Sequence, residues 1–264
     1  MAPEGVNRFT LQALADELGI QVAYVEKDFV LTQVVYHYAH SDLADEFILK
    51  GGQALRHIYG SPRLSKDVDF VAKRRIEFDD LPQLMDIRYP RLHMPERPVG
   101  RTRRGFKLDP IEYRSISTGG GQDNIAIEIS FRDDLVLPAD VKAFDSHFIE
   151  PFPVQVMNVN EMVAEKCRAL YQRGNPRDLY DLWYLFGGAG PVAEIDPAQV
   201  TELIPAKFRT EFVASGWDHS RLYGRILEEA KTWPTLADLI RDPPAFDDAL
   251  ELVQKALRFL RQVR

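Results

Sequence analysis

Residues 47–72, FILKGGQALRHIYGSPRLSKDVDFVA, decide the fold. A short apolar run ends at the pair Gly51-Gly52, and a segment of helical composition follows until glycine and proline end it. The run that begins at Asp67 alternates acid with apolar residues, and a period of two is typical of a strand. The pattern therefore predicts strand, glycine turn, helix and strand, with the carboxylates of Asp67 and Asp69 side by side on one face.

A further strand is predicted over residues 124–131, where Glu128 lies on the face opposite the isoleucines. A weaker strand pattern covers residues 106–113, and three glycines at 119–121 indicate a hairpin turn between the two strands. Three carboxylates gathered at a sheet edge repel one another unless cations neutralise them. Oxygen ligands of this kind suit Mg²⁺ or Mn²⁺, so the two aspartates of the first strand and Glu128 are the predicted metal ligands.

Two metal ions in such a site catalyse phosphoryl or nucleotidyl transfer, because they activate an attacking hydroxyl, stabilise charge on phosphorus and hold the leaving pyrophosphate. The glycine pair suits this chemistry, since the backbone at Gly51 and Gly52 and the start of the next helix can approach a triphosphate closely. The alternative is that Asp67 and Asp69 are solvated turn residues without a ligand. The conjunction of strand, glycine pair, helix and second acidic strand favours the metal site.

The sequence changes in character near residue 158, where strand-like runs give way to helical periodicity. We therefore expect two domains, residues 1–157 with N-terminal helices and the sheet, and residues 158–264 with mainly helices. In the second domain Asn160 is predicted to cap the first helix, and Asn175 to cap the next one. Helical periodicity is predicted for residues 11–40, 160–172, 176–187, 222–232 and 246–263.

The second group of candidate residues lies in the helical part. Lys166 occurs within the apolar stripe of its helix, and Asp178 occurs in the first turn of the next. Lys166 could extend to solvent along its apolar stem, or it could face the carboxylates and bind phosphate as a point charge. Asp178 is favoured by the helix dipole whatever its function.

The chain carries a formal net charge of −7, which argues against strong non-specific attraction to nucleic acid by the whole protein. The charge is unevenly spread, because residues 88–114 hold eight basic and three acidic residues. This segment either forms a solvated basic loop or binds RNA phosphates. The candidate RNA-binding residues are Arg101, Arg103, Arg104 and Lys107.

Several classes of protein are excluded by composition. The chain has 264 residues, 45% of them hydrophobic, which is typical of a globular protein and not of a disordered one. It has no apolar stretch long enough for a membrane helix and no pattern of an export signal, so we expect a cytoplasmic protein. Its single cysteine, Cys167, excludes an internal disulfide and is expected to be a packed core residue.

Taken together, these motifs resemble those of a known protein family. The sequence resembles the AbiEii/MenT toxins, a branch of the polymerase-β-like nucleotidyltransferase superfamily, over about residues 20–186. The matching stretches are residues 25–31 (VEKDFVL), 50–55 (KGGQAL), 62–70 (PRLSKDVDF), 127–131 (IEISF), 165–166 (EK) and 177–182 (RDLYDL). The resemblance implies an α+β fold, in which a nucleotidyltransferase domain with a mixed sheet flanked by helices precedes a mainly helical domain.

The resemblance also implies roles for individual residues. Asp67 and Asp69 would bind metal with Glu128 as the third carboxylate, Lys166 would contact the triphosphate, and Asp178 would complete the catalytic site. The sequence departs from the superfamily's Gly-Ser pair, because a glycine stands where the family has serine. A hydroxyl contact with phosphate would then come from elsewhere, and Ser65 is the candidate.

The function implied by the resemblance is that of a toxin with an antitoxin partner encoded beside it. Related toxins block translation by adding nucleotides to the 3′ end of tRNA. We therefore expect a metal-dependent enzyme that transfers a nucleoside monophosphate from an NTP to the acceptor end of tRNA. Two alternatives stay open, namely transfer to a small molecule or protein hydroxyl, and a non-catalytic binding module.

Overall fold

The computed structural model describes most of the chain, namely residues 5–81, 91–102, 104–131, 135–187, 189–208, 218–228 and 231–263. Its contacts divide the chain into two compact units. The first comprises Met1–Leu135, Ala139–Val156 and Asp238–Arg241, and the second comprises Val136–Pro138, Met157–Ala237 and Asp242–Arg264. Each unit therefore takes its residues from more than one stretch of the chain.

One mixed sheet forms the centre of the first unit, as the family resemblance implied. In the described residues its strands are β1 Phe47–Lys50, β2 Asp67–Ala72, β3 Leu92–His93, β4 Val99–Thr102, β5 Gly105–Arg114, β6 Gln122–Phe131, β7 Asp140–Phe144 and β8 Phe152–Val156. The order across the sheet is β3-β5-β6-β2-β1-β8-β7, and β4 also pairs with β5. The pairs β2–β6 and β1–β8 are parallel, and the other pairs are antiparallel.

In the described residues of the first unit, three α-helices accompany the sheet: α1 Arg8–Leu18, α2 Val22–Ala39 and α3 Gly51–His57. The single helical region predicted at the N-terminus is thus two helices, because Gly19 takes a left-handed φ of 66° and ends the first. The prediction of an amphipathic helix is wrong for α2, which is buried along most of its length, including its polar residues Glu26, Asp28 and Thr32. The glycine turn predicted before α3 is instead its first two residues.

Three consecutive charged residues of α2 fix three other elements of the unit. Glu26 accepts hydrogen bonds from the backbone and hydroxyl groups of residues 115–117, in the loop between β5 and β6. Lys27 forms an ion pair of 2.6 Å with Asp123, at the start of β6. Asp28 pairs at 2.9 Å with Arg56 and at 3.1 Å with His57, both on α3.

Helices dominate the described part of the second unit, as predicted. They are α4 Val159–Arg173, α5 Pro176–Phe186, α6 Pro197–Phe208, α7 His219–Glu228 and α8 Phe246–Ala256. The last predicted helix is shorter than expected, since 3-10 turns replace it over Leu257–Gln262. The sequence pattern did not predict α6.

The caps of the first two of these helices differ from prediction at one position. Asn175 caps α5 as predicted, by accepting from the backbone N–H of Arg177 at 3.0 Å. The cap predicted at Asn160 is wrong, because Asn158 caps α4 and accepts from the backbone N–H of Asn160. The side chain of Asn160 instead binds the segment before α6, where it accepts from the backbone N–H of Asp196 at 2.7 Å.

A buried ion pair joins α4 to α6 and to the short segment 136–138. Glu161 and Lys207 form this pair, and both are almost wholly inaccessible to solvent. Glu161 also accepts from the backbone N–H groups of Val136 and Leu137, at 3.0 and 2.9 Å. These bonds explain why that segment belongs to the second unit. Across the described residues, no helix is both long and apolar enough to cross a bilayer.

The contacts of Asp28 predict a pH dependence of stability. Burial would raise the pKa of its carboxyl group, but Arg56 and His57 more than offset this and hold the pKa well below its ordinary value. Asp28 therefore stabilises the fold above the pKa of an unfolded aspartate, about 4, and this contribution is lost as pH falls below that value.

Asp28→Asn should lower the free energy of unfolding at pH 7 by about 3 kcal/mol, because Arg56 loses its buried partner. The loss should shrink as pH falls below about 4. Urea unfolding between pH 3 and pH 7 checks both expectations, with Asp16→Asn on the exposed surface of α1 as the control. An equal loss at every pH would contradict the role assigned to the carboxylate charge.

Candidate active site

A row of four charged residues crosses the middle of the sheet in the first unit. Lys50 of β1 lies opposite Asp69 of β2, and Asp69 lies opposite Glu128 of β6. Glu128 lies opposite Lys107 of β5. Residues in direct register point to the same face of a sheet, so this row places two acids between two lysines on one face.

Asp67 belongs to the same face, because it lies two residues before Asp69 on β2. Its carboxylate accepts a hydrogen bond of 2.8 Å from the hydroxyl of Ser65. Ser65 itself is only 1% exposed. This hydroxyl, expected to contact phosphate, therefore restrains the carboxylate of Asp67 in the structure.

The glycine pair leaves room for these side chains. Gly51 has a φ of 71°, and a Cβ atom added there would lie 2.2 Å from the Oδ2 atom of Asp69. A Cβ atom added at Gly52 would lie 2.6 Å from the hydroxyl oxygen of Ser65 and 3.0 Å from a guanidinium nitrogen of Arg63. Both positions require glycine because the acidic strand and the segment before it pack against the start of α3.

The carboxylates on this face suit a hard cation, although they do not form a complete coordination sphere. Among the described residues, no three His, Cys, Asp or Glu side chains lie close enough together to hold a metal ion. Asp69 and Glu128 are nevertheless neighbours on adjacent strands, where residues in register are about 4.8 Å apart. Two like charges at that spacing repel, and a cation between them would relieve the repulsion.

Lys107 has a carboxylate partner of its own. Its ammonium lies 2.6 Å from Asp109, and this hydrogen bond raises the pKa of Lys107, with smaller contributions from Asp67 and Glu128. Lys107 is therefore fully charged at neutral pH and lies within electrostatic reach of the acidic face.

The predicted residues of the helical part belong to the second unit, where they pair with each other. The ammonium of Lys166 lies 3.2 Å from Asp178 and 2.7 Å from Asp181. Arg173 donates to both oxygens of Asp178, from Nε at 3.0 Å and from Nη2 at 3.2 Å. Burial would raise the pKa of Asp178, but Lys166 and Arg173 more than offset this and lower it.

These contacts exclude one of the two alternatives for Lys166. Lys166 does not extend into open solvent, since its side chain is 13% exposed and ends on two carboxylates. The helix dipole is not the only interaction that favours Asp178, because its side chain is 1% exposed and bound on both oxygens. Cys167 beside them is fully buried, as expected, and burial raises the pKa of its thiol to about 12.

The candidate RNA-binding residues lie around β4 and β5. Arg101 pairs with Glu77 at 2.8 Å, and both side chains are about half exposed. Arg104 lies in the turn before β5, and Lys107 belongs to the charged row described above. Arg103 lies outside the described residues.

The sequence patterns assigned no role to three further charged residues of the two units. Lys50 ends an apolar strand run, is 8% exposed and joins the row on the sheet. Arg173 and Asp181 complete the ion pairs of Lys166 and Asp178. Helical spacing was the available signal for the last two, because Arg173 lies seven residues after Lys166 and Asp181 lies three after Asp178.

Solved structures share this fold. MenT4, a nucleotidyltransferase toxin from Mycobacterium tuberculosis, aligns with 98% of this chain and 91% of its own, with a TM-score of 0.69 and 19% identity. A Helicobacter pylori structure aligns with 93% of this chain and 99% of its own, with a TM-score of 0.59 and 16% identity. A second, JHP933 from the same species, aligns with 92% and 95%, with a TM-score of 0.57 and 16% identity.

The fold is thus that of the nucleotidyltransferase toxins. The family model described as "Nucleotidyl transferase AbiEii toxin, Type IV TA system" matches residues 33–252. The chain belongs to this family, and membership implies an antitoxin as its partner. No curated protein matches the sequence.

The space around Gly51 gives a test of the acidic face. Gly51→Ala should displace the carboxylate of Asp69 and strain a left-handed backbone, so we expect loss of nucleotidyl transfer and a free energy of unfolding lower by more than about 2 kcal/mol.

Gly100→Ala is the matched control, because Gly100 has a similar φ of 61° and nothing within 4 Å of an added Cβ. It should lose about 1 to 2 kcal/mol and keep its activity. Chemical unfolding and a transfer assay on both variants measure the difference. Equal effects in the two variants would show that contact with Asp69 is unimportant.

Proposed function

We propose that this toxin is a metal-dependent nucleotidyltransferase that adds a nucleoside monophosphate from an NTP to the 3′ end of tRNA and so blocks translation. The observation that carries the proposal is the register of Asp69 with Glu128, with Asp67 on the same face. Family membership supports nucleotidyl transfer as the chemistry, and the basic residues near β4 and β5 support RNA as the acceptor.

Asp67, Asp69 and Glu128 would hold Mg²⁺ or Mn²⁺. The bound metal would supply Lewis acidity toward the phosphates and the attacking hydroxyl. Ser65 restrains the carboxylate of Asp67 by its hydrogen bond, which limits the orientations that this ligand adopts. Gly51 leaves the space that the carboxylate of Asp69 needs.

Lys166 would bind the triphosphate, with Asp178 holding its ammonium in place. The 3′-hydroxyl oxygen of the acceptor forms a bond to the α-phosphorus, and the bond from that phosphorus to the β-phosphate oxygen breaks. Pyrophosphate and the hydroxyl proton are released. Gly51 and Gly52 would let the backbone at the start of α3 approach the phosphates.

The acceptor stem would lie against the basic residues Arg101, Arg103, Arg104 and Lys107. The pair of Arg101 with Glu77 does not prevent this, because an ion pair between half-exposed side chains contributes little free energy. A tRNA phosphate can therefore replace Glu77 at low cost.

Labelled transfer tests the proposal directly. The purified chain is incubated with total tRNA, Mg²⁺ or Mn²⁺, and each labelled NTP in turn, beside Asp69→Asn. We expect label on tRNA and a loss of at least about a hundredfold in the variant, because a metal-ligating charge is removed. Asp79→Asn, at an exposed position, is the control and should transfer normally.

Two other outcomes would overturn parts of this proposal. Label on a small molecule or protein, with none on RNA, would show the same chemistry on another acceptor. No transfer with any acceptor, together with toxicity that survives Asp69→Asn, would show a binding module without catalysis.

The RNA surface has its own test. The double variant Arg101→Ala/Arg104→Ala should weaken tRNA binding and reduce the slope of log affinity against log salt by about 2, one for each lost phosphate contact. Fluorescence anisotropy with labelled tRNA measures both effects. The control is Lys255→Ala/Arg258→Ala near the end of the chain. An equal change in the control would contradict the assignment of Arg101 and Arg104 to RNA binding.

A further inference from the structure

Two cations and two carboxylates face each other across the helical hairpin α4–α5. Lys166 and Arg173 are seven residues apart, so they lie on one stripe of α4, two turns from each other. Asp178 and Asp181 are three residues apart, so they lie on one face of α5. The hairpin therefore brings a cationic stripe against an acidic one.

Asp178 binds both cations at once. Its Oδ1 atom accepts from the ammonium of Lys166 at 3.2 Å and from Nη2 of Arg173 at 3.2 Å. Its Oδ2 atom accepts from Nε of Arg173 at 3.0 Å. Because one oxygen is shared, the ammonium and the guanidinium are immediate neighbours.

The acids of this cluster are less exposed to solvent than the cations. The side chains of Asp178 and Asp181 are 1% and 0% exposed, whereas those of Lys166 and Arg173 are 13% and 60% exposed. The carboxylates thus form the base of the cluster, and the side chain of Arg173 is open to solvent. Because these acids are buried, a ligand that arrives from solvent would contact the cations, and the acids would affect its binding only by positioning those cations.

This arrangement fits a polyphosphate. A guanidinium that a carboxylate already holds through two hydrogen bonds loses little further conformational freedom when it binds a phosphate. Its planar set of N–H donors suits phosphate oxygens. An ammonium beside it supplies a second point charge for a neighbouring phosphate. An isolated phosphate needs only one such cation, so the pairing favours a chain of phosphates.

We propose that Arg173 is a second polyphosphate-binding cation beside Lys166, and that Asp178 and Asp181 are positioning residues that hold the two cations. The proposal rests on the proposed function in one respect, because it takes Lys166 to contact the triphosphate of the NTP. Asp181 makes the shorter contact with Lys166, so it is the main support of that ammonium.

Binding of inorganic tripolyphosphate to the full chain, measured by isothermal titration calorimetry without metal, tests the role of Arg173. Arg173→Ala should weaken affinity roughly ten- to a hundredfold, because a charge-assisted hydrogen bond to phosphate is lost. Arg173→Lys should recover part of the loss. The control Arg258→Ala removes an exposed arginine of the same unit and should bind as the wild type does.

A double-mutant cycle tests the role of Asp181. Asp181→Asn should weaken tripolyphosphate binding when Lys166 is present and have no further effect in Lys166→Met, because the carboxylate acts through the ammonium. Additive losses would show that Asp181 stabilises the fold without positioning Lys166. Circular dichroism checks that each variant is folded. If Asp181→Asn does not fold, the variants of the exposed Arg173 still decide the proposal.

The outcomes distinguish this inference from the proposed function. If wild type labels tRNA while Arg173→Ala binds tripolyphosphate as tightly as the control, the inference is overturned and the function stands. If Arg173 is needed for binding but no acceptor receives label, the function is overturned and the inference stands. Absence of tripolyphosphate binding in the wild type overturns the inference whatever the transfer assay shows.

Discussion

The placement of the acidic face depends on the three consecutive charges of α2. Glu26 holds the loop between β5 and β6, Lys27 holds the start of β6, and Asp28 holds α3. The strand that carries Glu128 and the helix that begins at Gly51 are thus fixed to one rigid element. Each of these contacts is buried or partly buried, where an unpaired charge is costly, so the helix and its partners specify one another.

Short-range patterns in the sequence were enough to predict the acidic face. Alternation placed Asp67 and Asp69 on one side of a strand, and the same rule placed Glu128 on a second strand. Register between strands distant in sequence was not predictable, because it depends on how α2 and the loops hold them. For the same reason the sequence indicated the strand ending at Lys50 but not its place opposite Asp69.

Errors in the sequence predictions arose where tertiary contacts override a local pattern. Asn160 is a good cap by residue type, but its amide binds the segment before α6, and Asn158 takes the cap. The helix α2 was expected to have a polar face, but it is buried along most of its length, and its buried acids Glu26 and Asp28 have partners on other elements. The ion pairs of Lys166 and Asp178 were not predicted, since helical spacing identifies a face and not what that face contacts.

The division into units has a consequence for how the protein can be made or shortened. The first unit includes residues 238–241, and the backbone N–H of Leu64 donates to the carbonyl of Leu239 at 2.8 Å. A chain cut at residue 157 would lose that acceptor, close to the segment that carries Ser65 and Asp67. The two units therefore alternate along the sequence. A single cut separates the domains of a modular enzyme, but no single cut in this chain would separate the two units.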